Sequence, residues 1–563
     1  MSATLYPRSP FLLPVSDGEF DAFVKDVFDW YTEWDPLTAT SVGIHRYDHL
    51  LPKGTYDAVQ EETRKAKEAL ERLERLDKKS LSPGKRIDFG VLRNALRLWI
   101  FQNETLRIWE SRPSGAEDLA NSLFLLFMRN FAPLPERMAS ITGRLERAPQ
   151  FLRETKSRVR TPNRLWVEIG LESTQQTPGF LGIIEAAGKA ALPGPEFASL
   201  QEAIAKSGAA LVDQERWIKT ELQPKAVERV GIGAAKFRRL LALRELGLTV
   251  DEVYAIGKRY LRESRRELDR LAKELKRGSS VEAAKEAVKG DHPSDWKGAL
   301  DYTAKAMNDA KEFILENDLA TIPSNEVLRV IETPTYLRHV IPFAAYNSPG
   351  HFDPVQEGLY MVTPYDDKPE MLKENSYAGT RNTAVHEGYP GHHLQLSCAN
   401  LNPSLARLMS FGAVESVEGW AHYCEAMMKE KGFGDDPATR FAQMLDQLWR
   451  AARIIIDVDL HCGRMTFDEA VEFLVTECGF ERPGAVAEVK RYSYTPAYPL
   501  SYLTGKYLIL RLRKDVKKGL GKQYSDKFFH DTYLYAGSIP LRYMRQLFEY
   551  KVRELQKLRK KGL

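Results

Sequence analysis

Three of the chain's eleven histidines fall within eight residues, in the stretch Thr383-Ala-Val-His386-Glu387-Gly-Tyr-Pro390-Gly391-His392-His393. A glutamate directly follows the first of them. Imidazoles are common metal ligands, and a carboxylate beside them can act as a base. The arrangement is close to H-E-x-x-H, where two histidines one helical turn apart hold zinc and the glutamate activates a zinc-bound water. Here position i+4 is Pro390, which cannot ligate, and the next histidines stand at i+6 and i+7. On a regular helix i+6 is turned roughly 120° from the start, and i+7 lies about 10 Å further along the axis. Neither suits a shared ion on an unbroken helix. Pro390 removes a backbone donor and Gly391 admits unusual dihedrals, so a distortion after Tyr389 is expected to swing a second histidine round to His386. Spacing alone leaves His392 and His393 both open.

A third ligand is expected further along, in Phe411-Gly-Ala-Val-Glu415-Ser-Val-Glu418-Gly-Trp-Ala-His422-Tyr-Cys-Glu425. Glu415, Glu418, His422 and Glu425 fall at i, i+3, i+7 and i+10, one stripe of a helix. The stripe lies among Val, Trp, Ala and Met. Burying carboxylates there is costly unless a cation or a donor meets them. A zinc ion would meet them.

The elements around these segments are mostly helical in pattern. Phe20, Phe23, Val24, Val27, Phe28 and Tyr31 recur at spacings of three and four, as do Ala66, Leu70, Leu73 and Leu76. The pairs Ser199/Glu202, Thr249/Glu252, Ser279/Glu282 and Thr466/Glu469 read as capping boxes. Strand signals are confined to residues 327–333 and 358–363, closed by Pro334 and Pro364. The expected fold is mostly α, a large multi-helix body around a deep cleft, with a small β-sheet near the zinc helix. Residues 161–181 are polar and loop-rich, and 278–296 read as a helix–helix connection. The first divides the chain into an N-terminal helical subdomain, 1–180, and a helical catalytic region with a small β element, 181–563; the alternative is one continuous domain.

Composition narrows the function classes. The chain is 43% hydrophobic and 28% charged, ordinary for a globular protein. Its net charge is 81 − 77 = +4, which calls for no nucleic-acid partner. Lys273, Lys276 and Arg277 read as a solvated face. Four cysteines without a C-x-x-C pair point to a reducing compartment. The first residues lack a signal-peptide pattern, and no apolar run approaches the ~20 residues of a membrane span. A soluble cytoplasmic protein with no membrane partner is expected.

HEGYPGHHLQ, VEGWAHYCE and RYSYTPAYPLSYLTGKY together resemble the domain of unknown function 885 family, most clearly over residues 330–515. That family is similar to zinc metallopeptidases of the thermolysin-like, glutamate-third-ligand group. The resemblance implies Zn2+ held by His386, His392 and Glu418, with Glu415 in reserve and His422 and Glu425 as orienting residues. It implies Glu387 as the general base and Tyr502 and Tyr492 as oxyanion donors. It further implies Arg491 as the substrate-carboxylate contact, and residues 358–363 as an edge strand pairing with the substrate backbone. The implied activity is a zinc-dependent hydrolase of short peptides, carboxypeptidase-like if Arg491 grips a free C-terminus. A zinc hydrolase of another amide or ester, and a non-catalytic metal- or peptide-binding protein, are the alternatives.

Overall fold

The computed structural model describes residues 12–275, 280–333, 344–364, 369–410 and 413–560. Lys276, Arg277, Gly278, Ser279, Pro334, Phe411 and the first eleven residues lie outside that set.

The protein is mostly helical, as its periodicity predicts. Near the N-terminus, helices Asp17–Trp34, Tyr56–Glu74 and Pro83–Phe101 share a core of Phe20, Val24, Val27, Leu73, Leu92 and Leu96. Next, helices Gly115–Met128, Leu134–Lys156, Arg164–Ala191 and Gly194–Trp217 bury Leu123, Ile141, Leu145, Phe180 and Leu200. The expected loop at 161–181 is therefore largely helix, and the 180/181 boundary falls inside a single 28-residue helix. Its polar run hid a buried stripe of Trp166, Gly170, Thr177, Phe180 and Ile184.

Thr249/Glu252 and Thr466/Glu469 form capping boxes as read from the sequence. Ser199 does not, because its helix already begins at Gly194. A further box, Ser16/Glu19, opens the Asp17–Trp34 helix.

Two helix pairs carry the C-terminal half. Val250–Glu274 packs on Pro437–His461, whose last twelve residues, Arg450 to His461, are all buried. Five of these twelve, Arg450, Arg453, Asp457, Asp459 and His461, are charged or polar, so the segment carries polar groups into the body and they need partners there. Val414–Glu430 packs on Ser501–Leu520.

The sheet has three strands in the order β1-β3-β2, with β1 Glu326–Glu332, β2 Ala344–Asn347 and β3 Gln356–Val362. β1 runs parallel to β3, pairing Glu326 with Gln356, and β2 runs antiparallel to it, pairing Ala344 with Val362. Two of these strands were expected. The third, β2, is only four residues long and carries no periodic signal.

Candidate metal centre

The helix Tyr377–Thr383, capped by Ser376, continues into a wider π turn, Ala384–Gly388, that carries His386 and Glu387. The turn stops at Tyr389, which is extended, and the Tyr389–Pro390 bond is cis. A new helix then starts at His392. The interruption expected after Tyr389 is thus present. Gly391 is where the chain folds back on itself: a Cβ there would lie 1.9 Å from the His386 carbonyl oxygen, so no larger residue fits. Trp420 holds the break by donating from Nε1 to the Pro390 carbonyl, 2.7 Å away. The result brings the His386 and His392 rings to 4.8 Å, centre to centre and nearly perpendicular.

The helix Val414–Glu430 brings the third group. It crosses Ser501–Leu520 with the backbones in contact at Gly419 and Gly505; a Cβ on Gly419 would lie 2.5 Å from the Gly505 Cα. This crossing seats Glu418 between the histidines and Tyr498. Glu418 Oε2 lies 3.3 Å from His392 Nε2, and Oε1 accepts from the Tyr498 hydroxyl at 2.6 Å. One ligand atom each from His386, His392 and Glu418 falls within 4.8 Å of the others, and all three residues are buried. Among the described residues no other His, Cys, Asp or Glu group meets that spacing. Zinc bonds of about 2.0–2.2 Å at tetrahedral angles place neighbouring ligand atoms about 3.3 Å apart. The donor set and the His392–Glu418 spacing fit such an ion.

The open alternatives resolve. His393 is wholly buried and points elsewhere: its Nε2 lies 2.5 Å from Glu326 Oε2, and its Nδ1 lies 3.0 Å from the Tyr346 hydroxyl. Glu415 is taken by Arg244, which donates to it at 2.7 Å.

Behind the ligands lies a buried charged layer. His386 Nδ1 sits 2.7 Å from Glu425 Oε1. A carboxylate only accepts, so Nδ1 carries the hydrogen and Nε2 keeps its lone pair for a cation. Glu425 Oε2 lies 3.2 Å from His422 Nδ1. Glu425 thus bridges the His386 and His422 rings and fixes the direction of His386. Burial alone would raise the Glu425 carboxyl, but His422, His386 and Arg450 hold it well below the usual range. Glu418 is likewise held at about 2, chiefly by His392 working against burial. Burial pushes the nearby Lys429 and Lys506 down to about 8.

Glu387 is half-buried and has no hydrogen-bond or ion-pair partner among the described residues. Tyr502 reaches the site: its ring lies 6.4 Å from that of His386, nearly parallel to it, and 6.0 Å from that of Tyr498. Tyr492 does not. It is wholly buried, and its hydroxyl accepts from Arg453 Nε at 2.8 Å and Trp449 Nε1 at 3.2 Å. It therefore buttresses Arg453, which lies 4.7 Å over the Tyr502 ring. Arg491 is partly exposed and donates to Glu488 at 2.7 Å.

Residues 358–363 do not form an edge strand. β3 is the middle strand and its two edges are occupied by β1 and β2. Sequence reasoning missed Tyr498. Tyr498 stands four residues before Tyr502, in a turn where Ala497 adopts a left-handed conformation, φ 63°. Asp457 accepts from the amides of Ala497 and Leu500 on either side of it, 3.1 Å each. Only the Tyr-Pro pair in the turn hinted at a fixed position.

A family model described as "Bacterial protein of unknown function (DUF885)" matches residues 36–548. No curated protein matches the chain. The chain is similar in fold to a candidate lipoprotein of unknown function from Shewanella oneidensis. That pair shares 22% identity and a TM-score of 0.77, over 94% of this chain and 99% of that one. It is also similar to a candidate lipoprotein from Colwellia psychrerythraea, with 18% identity and a TM-score of 0.83, over 95% and 99%. At such identities the likeness is one of fold.

Proposed function

We infer that this chain, which belongs to the DUF885 family of bacterial proteins, is a zinc-dependent hydrolase of short peptides. Its ligand chemistry is that of thermolysin-like peptidases with a glutamate third ligand. One observation carries the reading: His386, His392 and Glu418 converge on one point, next in the chain to a carboxylate, Glu387, that makes no hydrogen bond or ion pair among the described residues.

Zinc in this position would polarise the scissile carbonyl and make water a better nucleophile at neutral pH. The chain's own residues do the rest. His386, His392 and Glu418 would hold the ion, while Glu425 orients His386 and Tyr498 fixes the carboxylate of Glu418. Glu387 takes a proton from the attacking water as its oxygen joins the carbonyl carbon. The same carboxylate returns that proton to the amide nitrogen as the carbon–nitrogen bond breaks. Tyr502 donates to the carbonyl oxygen as charge develops there. Arg491, partly exposed, offers a guanidinium group for a free C-terminal carboxylate. That is the basis for a carboxypeptidase-like preference. The surrounding helices favour short peptides over folded proteins.

Four unpaired cysteines support a cytoplasmic location. A lipid found on the mature N-terminus of the purified protein would overturn that part of the reading.

The test is metal content by plasma mass spectrometry beside turnover of mixed short peptides. The expectation is about one zinc per chain, retained in Glu387→Gln while turnover falls by roughly 10²–10⁴-fold. Turnover unchanged in Glu387→Gln would sink the mechanism. Equal cleavage of free and blocked C-termini would remove the carboxypeptidase preference.

A further inference from the structure

The helix Pro437–His461 carries two arginines, about one turn apart, that share the ring of Tyr502. The guanidinium carbon of Arg453 lies 4.7 Å from the ring centre and that of Arg450 lies 5.8 Å from it. Arg453 is spent: its Nε donates to the Tyr492 hydroxyl at 2.8 Å and its Nη2 to Glu488 at 3.2 Å. Arg450 is not. Its one ion pair among the described residues runs from Nη1 to Asp446 Oδ1 at 2.7 Å, and Nη1 also donates to the Asp446 carbonyl at 3.3 Å. Neither Nε nor Nη2 has a hydrogen-bond partner among the described residues, and Nε is shut off from solvent. The Arg450 side chain is 10% exposed, that of Asp446 34%.

Two contacts place Arg450 beside the metal centre. The Tyr502 ring that it faces lies 6.4 Å from the His386 ring, centre to centre. Asp446 reaches the His386 element as well: its Oδ2 accepts from Asn382 Nδ2 at 2.8 Å, and Asn382 stands one turn before His386. A guanidinium keeps its charge at any ordinary pH, so its donors need acceptors. Withdrawing it from water with one edge idle is costly. A part-exposed carboxylate at one corner returns little of that cost. An apolar side chain would pack on Trp449 and Tyr502 without it. The idle edge, Nε with Nη2, is one whose two parallel N–H groups match the two oxygens of a carboxylate.

We propose that Arg450 is a specificity-determining residue whose Nε–Nη2 edge grips a carboxylate of the peptide substrate. This rests on the peptidase reading of the His386–His392–Glu418 group, and it names the class of peptide that group prefers: one with a carboxylate close to the scissile bond. That carboxylate is a free C-terminus or the side chain of an Asp or Glu. Arg491 is the more exposed guanidinium, 34% against 10%, and has given its Nη2 to Glu488. Arg450 is the one with a whole edge in reserve.

The experiment uses the full chain, loaded with zinc, and pools of N-acetylated tetrapeptides in three forms. These are free acids without Asp or Glu, C-terminal amides without Asp or Glu, and C-terminal amides with one Asp or Glu. Cleavage is read by mass spectrometry. Binding of the best-cleaved member of each pool is read by calorimetry in Glu387→Gln, which leaves it intact. Wild type should favour a carboxylate-bearing pool over the neutral amides by roughly 10–100-fold, the worth of a bond or two to a charged group. Arg450→Gln should erase that preference in cleavage and in binding, with zinc content and cleavage of the neutral amides unchanged. A loss on free acids assigns the C-terminus; a loss on acidic amides assigns the side chain. Arg450→Lys keeps a charge beside Asp446 without the fork, so it should show a smaller loss of the same kind, and it carries the test if the Gln variant does not fold. Equal losses on all three pools, or none in either variant, would overturn this inference and leave the peptidase reading standing while Glu387→Gln is inactive. So would a preference that Arg491→Gln removes and Arg450→Gln keeps. If wild type cleaves none of the pools, or Glu387→Gln retains full turnover, the peptidase reading falls and takes this inference with it.

Discussion

His392 and His393 are neighbours in the chain, both buried, and each faces a glutamate, yet the two stations are built for opposite ends. At His393 the carboxylate of Glu326 is saturated by an imidazole, a phenol and an ammonium group. At His392 the carboxylate of Glu418 has one oxygen held by Tyr498, while the other faces an imidazole nitrogen at 3.3 Å. His386 completes that second station with its Nδ1 occupied and Nε2 left over. The lesson is that residue type and burial do not separate a ligand from a strut. What separates them is the valence left when the local hydrogen bonds have been counted.

The comparison breaks most sharply on metal content. His392→Ala should abolish zinc binding, because two remaining ligands do not make a structural or catalytic zinc site. His393→Ala should keep the zinc and lose about 3 kcal/mol or more of stability, the cost of leaving a buried carboxylate without its partner. Mass spectrometry of the metal beside denaturant unfolding checks both. Zinc lost from His393→Ala and kept in His392→Ala would exchange the two assignments.

A smaller effect sharpens the contrast between the two tyrosines. Tyr498→Phe should weaken zinc affinity roughly 10–100-fold, since it frees the oxygen that orients Glu418. Tyr389→Phe, at the Glu326 station, should leave zinc affinity where it was. Competition with a chelator of known affinity measures both.

The smallest effect is on acid stability. Glu326 is held at about 2 against an ordinary 4.5; burial opposes this, and His393, Lys311 and Tyr389 overcome it. A lowered carboxyl contributes stability that is complete above the unfolded value and is lost as pH falls through the folded one. Glu326→Gln should therefore flatten the stability of the zinc-free protein between pH 4.5 and about 2, read from unfolding midpoints across that window. A slope equal to that of wild type would show that Glu326 is not so tightly held.

These stations also show what a sequence discloses. The pairing of His386 with a histidine beyond Pro390 was legible, because proline and glycine at fixed places announce a break. The Glu/His stripe was legible as a helix face with too many charges for its apolar setting. The choice between Glu415 and Glu418 was not readable from spacing, since it turns on Arg244, 171 positions upstream of Glu415. Tyr498 was invisible for the same reason: it meets Glu418, 80 positions away, only through tertiary folding. Local pattern also misled at 161–181, where the polar run Glu172 to Gly179 interrupts the apolar residues of a continuous helix. It misled again at 358–363, where an apolar run signals a buried strand without saying that β2 closes its second edge.

The crossing at Gly419 and Gly505 has a mechanical consequence. With a Cβ on Gly505 meeting the Glu415 carbonyl oxygen at 2.1 Å, there is no clearance between the two helices. Advancing either by one residue would press Glu418, Trp420 or Thr504 against bare backbone. The pair is thus indexed like a detent: its register is set by the absence of two methyl groups, and Glu418 and Tyr502 keep their mutual placement without any bond between them.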